Sequence, residues 1–202
     1  LKVDVMEAGF PMASEGDFEA VNLIGQEFGD VTVAALARCH TGDIERAAKA
    51  LEKAKRPRIH TFIATSPIHL QHKLKMSEDR ALDIAIKSIQ LARRYVDEVE
   101  FSAEDATRTA PDSLVKFSQA VVEAGARIVN LPDTVGYSIP AEYGQLVGQV
   151  VKALAGKAVV SVHCHNDLGL STANSIAAIQ AGVRQVECTI NGIGERAGNC
   201  SL

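Results

Sequence analysis

The strongest constraint on the fold of this chain is a repeated alternation of short strand-like runs and longer helix-like stretches. Seven runs rich in apolar and β-branched residues end in polar residues, and they occupy positions 3–10, 31–38, 58–66, 97–105, 126–134, 158–167 and 184–192. Between them, stretches with helical spacing of apolar residues lie near 17–28, 41–54, 78–94, 111–124, 140–155 and 171–181. Strands that alternate with helices in this way pair in parallel through right-handed crossovers. The sequence therefore predicts an α/β fold.

Two architectures share this alternation, the doubly wound sheet and the TIM (β/α)₈ barrel, and the strand ends distinguish them. Polar residues gather after nearly every strand rather than at one switch point, and no GxGxxG follows the first strand. Both features favour the barrel. A full barrel has eight strands in about 250 residues, whereas this chain has seven predicted strands in 202 residues. We therefore expect one catalytic barrel domain, 1–202, that lacks the first βα unit.

Composition excludes several classes of partner. The formal net charge is −4 and no basic block occurs, which argues against nucleic acid or an anionic membrane surface as a partner. No apolar run approaches the ~20 residues that a membrane span needs. The four cysteines are widely spaced and form no CxxC, so we expect them to be packing residues of a cytoplasmic protein.

The sixth predicted strand ends in "SVHCHNDLGL", residues 161–170. Because residues i and i+2 of a strand point the same way, His163 and His165 share one face and Cys164 takes the other. Two imidazoles on one face can converge on a divalent ion. The alternative is a pair of histidines satisfied by hydrogen bonds. The polar residues that follow favour the metal site.

The fourth predicted strand, "EFSAE", carries two carboxylates on the face that would line the barrel. Glu100, Ser102 and Glu104 alternate along this face, and a buried carboxylate is costly unless it is paired, protonated or functional. The alternative to a functional role is a structural ion pair with Arg38 or Arg108.

Two further strands end in residues that suit an organic acid. In "NLPDT", Asn130, Pro132 and Thr134 share a face, so an amide and a hydroxyl could orient a carboxylate or keto group, while Asp133 points away. His60, in "RIHTFIATS", is either a hydrogen-bond donor to a substrate or a core histidine.

The most specific stretch is "NGIGERAGNC", residues 191–200. Its glycines permit positive φ angles and close backbone approach, and Asn199 offers a neutral oxygen ligand. The alternative is a loop held by a pair between Glu195 and Arg196. Combined with HxHND about 30 residues upstream, the stretch indicates a functional site.

These motifs resemble the 2-isopropylmalate synthase family of metal-dependent Claisen-condensing enzymes (the DRE-TIM metallolyases). The resemblance runs from Leu1 to Leu202 and rests on "EAGFP", "HTFIATSPIH", "VEFSAEDATR", "NLPDTVGY", "SVHCHNDLGL" and "NGIGERAGNCSL". It implies a (β/α)₈ barrel with a divalent ion, Mn²⁺, Mg²⁺ or Zn²⁺, at its C-terminal face. The implied ligands are His163, His165 and Asn199.

The resemblance also implies a substrate pocket. Its lining residues would be His60, Ser102, Glu104, Asn130, Pro132 and Thr134, with His60 and Glu104 as the catalytic candidates. The reaction implied is acyl transfer from acetyl-CoA to 2-oxoisovalerate, giving 2-isopropylmalate in leucine biosynthesis. The expected partners are therefore acetyl-CoA and a 2-oxo acid, and we expect a homodimer or a higher homo-oligomer.

One part of the family pattern does not occur in these 202 residues. The family carries a further ligand, an aspartate in an Arg-Asp-Gly stretch after the first barrel strand, and larger members add C-terminal linker and regulatory domains. We therefore expect the 202-residue chain alone to be inactive or nearly so. A sister enzyme such as citramalate or homocitrate synthase, an inactive metal-binding fragment and a purely structural domain remain alternatives.

Overall fold

Seven parallel strands form the centre of the molecule in a computed structural model that describes residues 2–202. The strands are β1 (Val5–Gly9), β2 (Thr32–Arg38), β3 (Pro57–Ala64), β4 (Glu98–Glu104), β5 (Ile128–Asp133), β6 (Val159–Cys164) and β7 (Gln185–Glu187). Each strand pairs with the next in parallel, so the order in the sheet is the order in the chain. This confirms the predicted α/β class and the parallel sheet.

Helices connect consecutive strands. They are α1 (Glu15–Glu27), α2 (Thr41–Ala50), α3 (Pro67–His69), α4 (Glu78–Ala92), α5 (Pro111–Glu123), α6 (Pro140–Leu154) and α7 (Ser171–Gln180). A π-helical turn, Leu70–Leu74, extends the short α3, and two 3₁₀ turns follow β4 and β7, at Ala106–Arg108 and Ile190–Gly192. No helix within residues 2–202 is long and apolar enough to cross a membrane.

The hydrophobic core lies between the sheet and the helices. On β3, Ile59 and Ile63 join this core together with residues of α4 such as Ile89. The alternate residues Arg58 and His60 are buried on the opposite face of the sheet. The period of two therefore separates an apolar outer face from a polar inner face.

The sheet curls until its two edge strands approach the same side chain. His60 on β3 lies 2.5 Å from Glu7 Oε2 on β1 and 4.0 Å from Glu187 Oε1 on β7, measured from His60 Nδ1. Because β1 and β7 are opposite edges of the sheet, such contacts require strong curvature. The polar inner face is thus the concave face of a partly closed barrel.

The last strand is shorter than predicted. The run 184–192 forms a strand only over Gln185–Glu187, because the chain turns after Thr189 through Asn191 and Gly192, both with positive φ. It then doubles back, so that Asn199 forms an antiparallel bridge with His165. This return places the "GERAGN" segment over the end of β6.

Candidate functional site

The end of β6 and the returning segment bring together two histidines and an amide. The Nε2 atoms of His163 and His165 are 3.3 Å apart, and the ring planes are inclined at 67°. Asn199 Nδ2 lies 3.0 Å from His163 Nε2 and 3.5 Å from His165 Nδ1. We call these three residues the His–His–Asn site.

The site depends on a glycine that leaves room for the amide. A Cβ at Gly194 would lie 1.7 Å from Asn199 Oδ1, so any other residue there would displace the amide. The missing side chain at Gly194 therefore provides the space that the Asn199 amide occupies.

Glu187 on β7 anchors one of the histidines from behind. Its Oε2 lies 2.8 Å from His163 Nδ1, which directs Nε2 of the same ring toward His165 and Asn199. A carboxylate on the second ring nitrogen fixes the tautomer and orientation of a ligating histidine and raises its basicity.

Deeper in the concave face, side chains of β1 and β4 hold His60. Its Nδ1 contacts Glu7, and its Nε2 lies 2.7 Å from Ser102 Oγ. Asn130 Nδ2 donates to the same hydroxyl at 2.8 Å. Asn130 Oδ1 is buried and has no hydrogen-bond partner within the part of the chain that the structure describes, so it is available to a bound molecule.

A second cluster could in principle bind a cation. Ligand atoms of His60, Glu100 and Glu187 all lie within 4.8 Å of one another. However, Glu100 already accepts from Arg58 at 2.7 Å and from Gln185 at 2.7 Å, and both ring nitrogens of His60 have partners. The His–His–Asn site, whose facing nitrogens contact only one another and Asn199, is therefore the better candidate metal centre.

The remaining predicted pocket residues lie at the carboxyl ends of the strands. Glu104 pairs with Lys73 of the π-helical turn at 2.6 Å, and both border a cavity of about 510 Å³ that Arg38 and Phe62 also line. Thr134 directly follows β5, and its hydroxyl accepts the N–H of Asp105 at 3.0 Å.

Pro132 lies on β5 directly beside His163 in the paired register. Asp133 turns away from the concave face and accepts the backbone N–H groups of Gly136 and Ser138, each at 3.2 Å. Pro132 is thus the predicted pocket residue adjacent to the metal candidates, and Asp133 shapes the following loop.

Comparison with known protein families shows to which of them the chain belongs. The profile of the HMGL-like family matches residues 1–202. The chain belongs to the HMGL-like family.

Within the HMGL-like family, the chain is similar to 2-isopropylmalate synthases. It is 56% identical to that of Methylococcus capsulatus over 204 residues, covering 100% of this chain and 40% of that protein. It is 57% identical to that of Caulobacter vibrioides over 202 residues, covering 99% of this chain and 38% of that protein. The chain thus spans about 40% of the length of these curated relatives.

A solved structure supports the fold. Hydroxymethylglutaryl-CoA lyase from Pseudomonas aeruginosa superposes with a TM-score of 0.81 at 21% identity, covering 98% of this chain and 70% of that chain. At this identity the likeness shows the fold alone. It places the curled sheet of this HMGL-like chain among TIM-barrel-like structures.

The surroundings of the two histidines of this HMGL-like site shift their pKa values in opposite directions. Burial lowers the pKa of His163, but the hydrogen bond and charge of Glu187 outweigh it and raise that pKa above its ordinary value. For His165, burial and the neighbouring His163 and Arg196 all lower the pKa. His165 is therefore neutral at neutral pH, which is the form that binds a metal.

Of the ion pairs proposed from sequence as alternatives, that between Glu195 and Arg196 is present at 3.5 Å. The pairs proposed for Glu100 and Glu104 have different partners. Glu100 pairs with Arg58, and Arg38 pairs with Asp43 at 2.6 Å. Arg108 pairs with Asp105 at 2.8 Å. The proposed pairing of Glu100 or Glu104 with Arg38 or Arg108 is therefore wrong, because Asp43 and Asp105 lie nearer to these arginines in the chain and accept from them locally.

Sequence reasoning missed Glu187, Arg58 and Gln185. Each occupies the inner face of its strand. In β3 the alternation of polar and apolar residues could have indicated Arg58. β7 has only three residues, two of them polar, so its inner face cannot be read from the sequence.

Proposed function

We propose that this chain forms the catalytic domain of a 2-isopropylmalate synthase, which transfers the acetyl group of acetyl-CoA to 2-oxoisovalerate. The observation that carries the proposal is the convergence of His163, His165 and Asn199 on the concave face. The identity of more than half of the residues to curated synthases over the whole chain supports it.

The His–His–Asn site would hold a divalent ion, Mn²⁺, Mg²⁺ or Zn²⁺. Adjacent ligands at about 2.1 Å from one ion lie about 3 Å apart, and the two facing nitrogens are separated by 3.3 Å. The mixed imidazole and amide donors fit such an ion, with Asn199 Oδ1 brought inward by rotation of the amide. When bound, the ion supplies Lewis-acid polarisation of the keto group of the 2-oxo acid.

His60, Ser102 and Asn130 would bind and orient the 2-oxo acid. Burial lowers the pKa of His60, but the carboxylates of Glu7 and Glu100 outweigh it and raise that pKa to about 10. His60 therefore remains protonated at neutral pH, donates to Glu7 and Ser102, and places a positive charge beside the acid. The Ser102 hydroxyl, which accepts from His60 and Asn130, would donate its own hydrogen to the substrate. The unpartnered Oδ1 of Asn130 adds an acceptor beside it.

Glu104 is the better candidate for accepting the proton from the acetyl methyl group. It lies at the mouth of the concave face, where one of its oxygens contacts Lys73. His60 cannot easily serve as a base, because both of its ring nitrogens are engaged and it is already protonated. We therefore assign Glu104 to proton transfer and His60 to substrate binding.

In this proposal the curled sheet is part of an eight-stranded barrel whose remaining strand lies between β1 and β7. Those two strands are the edges of the sheet, and unpaired parallel edges are rarely left open in this architecture. The protein would act in the cytoplasm as a homodimer or a higher homo-oligomer.

Turnover with three 2-oxo acids tests the function. We expect CoA release from the full-length protein with acetyl-CoA and Mn²⁺ to be at least ~10-fold more efficient, as kcat/KM, with 2-oxoisovalerate than with pyruvate or 2-oxoglutarate. Glu104→Gln should abolish release, whereas Glu123→Gln on the outer helix layer should not change it. A preference for pyruvate or 2-oxoglutarate would identify a sister condensing enzyme instead.

A further inference from the structure

We propose that Arg196 and Asp167 form an interloop clamp that positions Asn199 in the His–His–Asn site. The inference rests on the metal site of the proposed function and assigns a positioning role to two residues outside it. Arg196 lies three residues before Asn199, and Asp167 lies two residues after His165. Each belongs to a segment that supplies one of the candidate ligands.

The clamp joins three loops through one guanidinium group. Arg196 Nε and one terminal nitrogen donate to the two oxygens of Asp167 at 2.8 and 2.9 Å. The same terminal nitrogen donates to the carbonyl of Thr134 at 2.8 Å. The loops after β5, β6 and β7 are therefore tied at one point, in the bidentate geometry that favours arginine over lysine.

Neighbouring backbone is shaped to receive this pair. A Cβ at Gly136 would lie 2.3 Å from Asp167 Oδ2, so the loop after β5 leaves space for that carboxylate. Leu168 also donates its N–H to the Gly136 carbonyl at 3.2 Å. Asp167 is thus packed against the loop after β5 and is also paired with Arg196.

Arg196 adopts a backbone conformation that a non-glycine residue seldom takes. Its φ is 56°, in the left-handed region, where an L-residue is disfavoured unless other contacts compensate. The following glycine, Gly198, has φ of 95°, and a Cβ there would lie 2.2 Å from the Gly192 carbonyl. The segment is therefore wound tightly, and the side-chain contacts of Arg196 hold it in that form.

Few other bonds fix the segment to β6. Asn166 donates its N–H to the Gly198 carbonyl at 2.9 Å, and Cys200 donates to the Cys164 carbonyl at 3.1 Å. These bonds fix the backbone on either side of Asn199. The clamp fixes the residues that precede Asn199 in the chain. Loss of the clamp should loosen the amide ligand without unfolding the sheet, because both clamp side chains are partly exposed.

The direction in which removal of Arg196 changes the metal affinity distinguishes a positioning role from a purely electrostatic one. Arg196 is a positive charge close to His165, so by charge alone its removal should strengthen the binding of a cation. A positioning role predicts the opposite, because Asn199 becomes mobile. We expect Arg196→Ala to weaken Mn²⁺ binding, measured by calorimetry on the full-length protein, by about 10- to 100-fold, and Arg196→Lys to recover part of the loss.

A matched control exists at the other end of the sheet. Arg46 likewise donates to a loop carbonyl, that of Pro11 at 2.7 Å, and to a carboxylate, Glu15 at 2.6 Å. Arg46→Ala should leave Mn²⁺ affinity unchanged. In an Asn199→Ala background, Arg196→Ala should cause no further loss, because the clamp acts through that amide.

Hydrogen exchange tests the clamp without metal. In the metal-free protein, Arg196→Ala should raise the exchange rate of the Asn199 and Cys200 amides, with unchanged exchange in α4. If wild type binds Mn²⁺ and Arg196→Ala binds it equally or more tightly with unchanged exchange, the clamp is wrong and the metal site stands. If wild type binds no Mn²⁺, both the metal site and the positioning role are overturned.

Discussion

At the scale of single residues, Glu187 connects the two polar clusters of the concave face. One of its oxygens lies 2.8 Å from His163 Nδ1, and the other lies 4.0 Å from His60 Nδ1. The carboxylate therefore supports a candidate metal ligand and a candidate substrate-binding residue at once. The contacts with these histidines keep the pKa of Glu187 below its ordinary value despite the burial that opposes it. A charged Glu187 is what both roles require.

The raised pKa of His60 predicts a pH dependence of stability. Its folded-state pKa of about 10 lies above the ordinary 6.5, so protonated His60 stabilises the folded protein. This contribution is complete below about pH 6.5 and is lost as the pH rises toward 10, with a slope of up to ~1.4 kcal/mol per pH unit. Urea unfolding in EDTA at pH 6 to 10 should show a smaller fall in the free energy of unfolding for His60→Gln than for wild type.

Glu7→Gln provides a second variant for this measurement. Removing one of the carboxylates that face His60, which also include Glu100 and Glu187, should reduce the fall in stability without removing the histidine. His72→Gln, on the exposed surface of the π-helical turn, should behave like wild type. A His60→Gln protein that loses as much stability as wild type over this pH range would contradict the assignment.

At the scale of elements, a buried polar group ties β3, β4 and β7 together at the lower part of the concave face. Arg58 on β3 donates to Glu98 at 2.6 Å, to Glu100 at 2.7 Å and to Gln185 on β7 at 2.9 Å. Gln185 donates in turn to Glu100 and to Ser161 on β6. The contacts of Gln185 with Arg58 and Glu100 cross the concave face from β7 to β3 and β4, so they hold the curl of the sheet. The others join neighbouring strands.

Removing Arg58 alone from this buried polar group should lower the free energy of unfolding. Arg58→Met removes the guanidinium partner of Glu100, which is 2% exposed and whose pKa burial already raises to about 7. We expect a loss of about 3–5 kcal/mol in the free energy of unfolding, because a buried pair broken from one side leaves its partner desolvated. The double variant Arg58→Met with Glu100→Leu should lose less than Arg58→Met alone, because the desolvated carboxyl is gone. Arg80→Met, which removes an exposed pair with Asp83, should cost less than ~1 kcal/mol. Additive losses in the double variant would show that the two side chains act independently.

The elements themselves follow from the sequence, because alternation of period two and helical spacing are local properties. All seven strands and six of the seven helices were predicted from these patterns. The exceptions are tertiary: α3 with its π-helical turn lacks a periodic signal, and β7 ends at Glu187 because the following residues return to pair with β6. The convergence of His163 with His165 could be expected from spacing, whereas the contacts of Arg58 and Arg196 depend on how the sheet curls.

At the scale of the whole molecule, the candidate metal site joins segments that are separated in the chain. His163 and His165 close β6, while Asn199 returns after β7. The unfolded chain cannot bring these groups together at low entropic cost, so an ion that binds the site should favour the folded state. Ion binding should also stabilise the rest of the concave face, because Glu187 contacts both His163 of the site and His60 of β3.

Metal binding should therefore raise the thermal stability of the molecule. At a free Mn²⁺ concentration 100-fold above Kd, linkage adds about 2.7 kcal/mol, and a domain of this size gains about 2–4 °C in Tm per kcal/mol. We expect a rise of roughly 5–11 °C in calorimetric Tm, reversed by EDTA.

His163→Ala should abolish the rise in Tm, because it removes the nitrogen that faces both His165 and Asn199. His72→Ala should retain it. An equal rise in the His163→Ala protein would place the stabilising ion elsewhere, and the cluster of His60, Glu100 and Glu187 would then be the site to test.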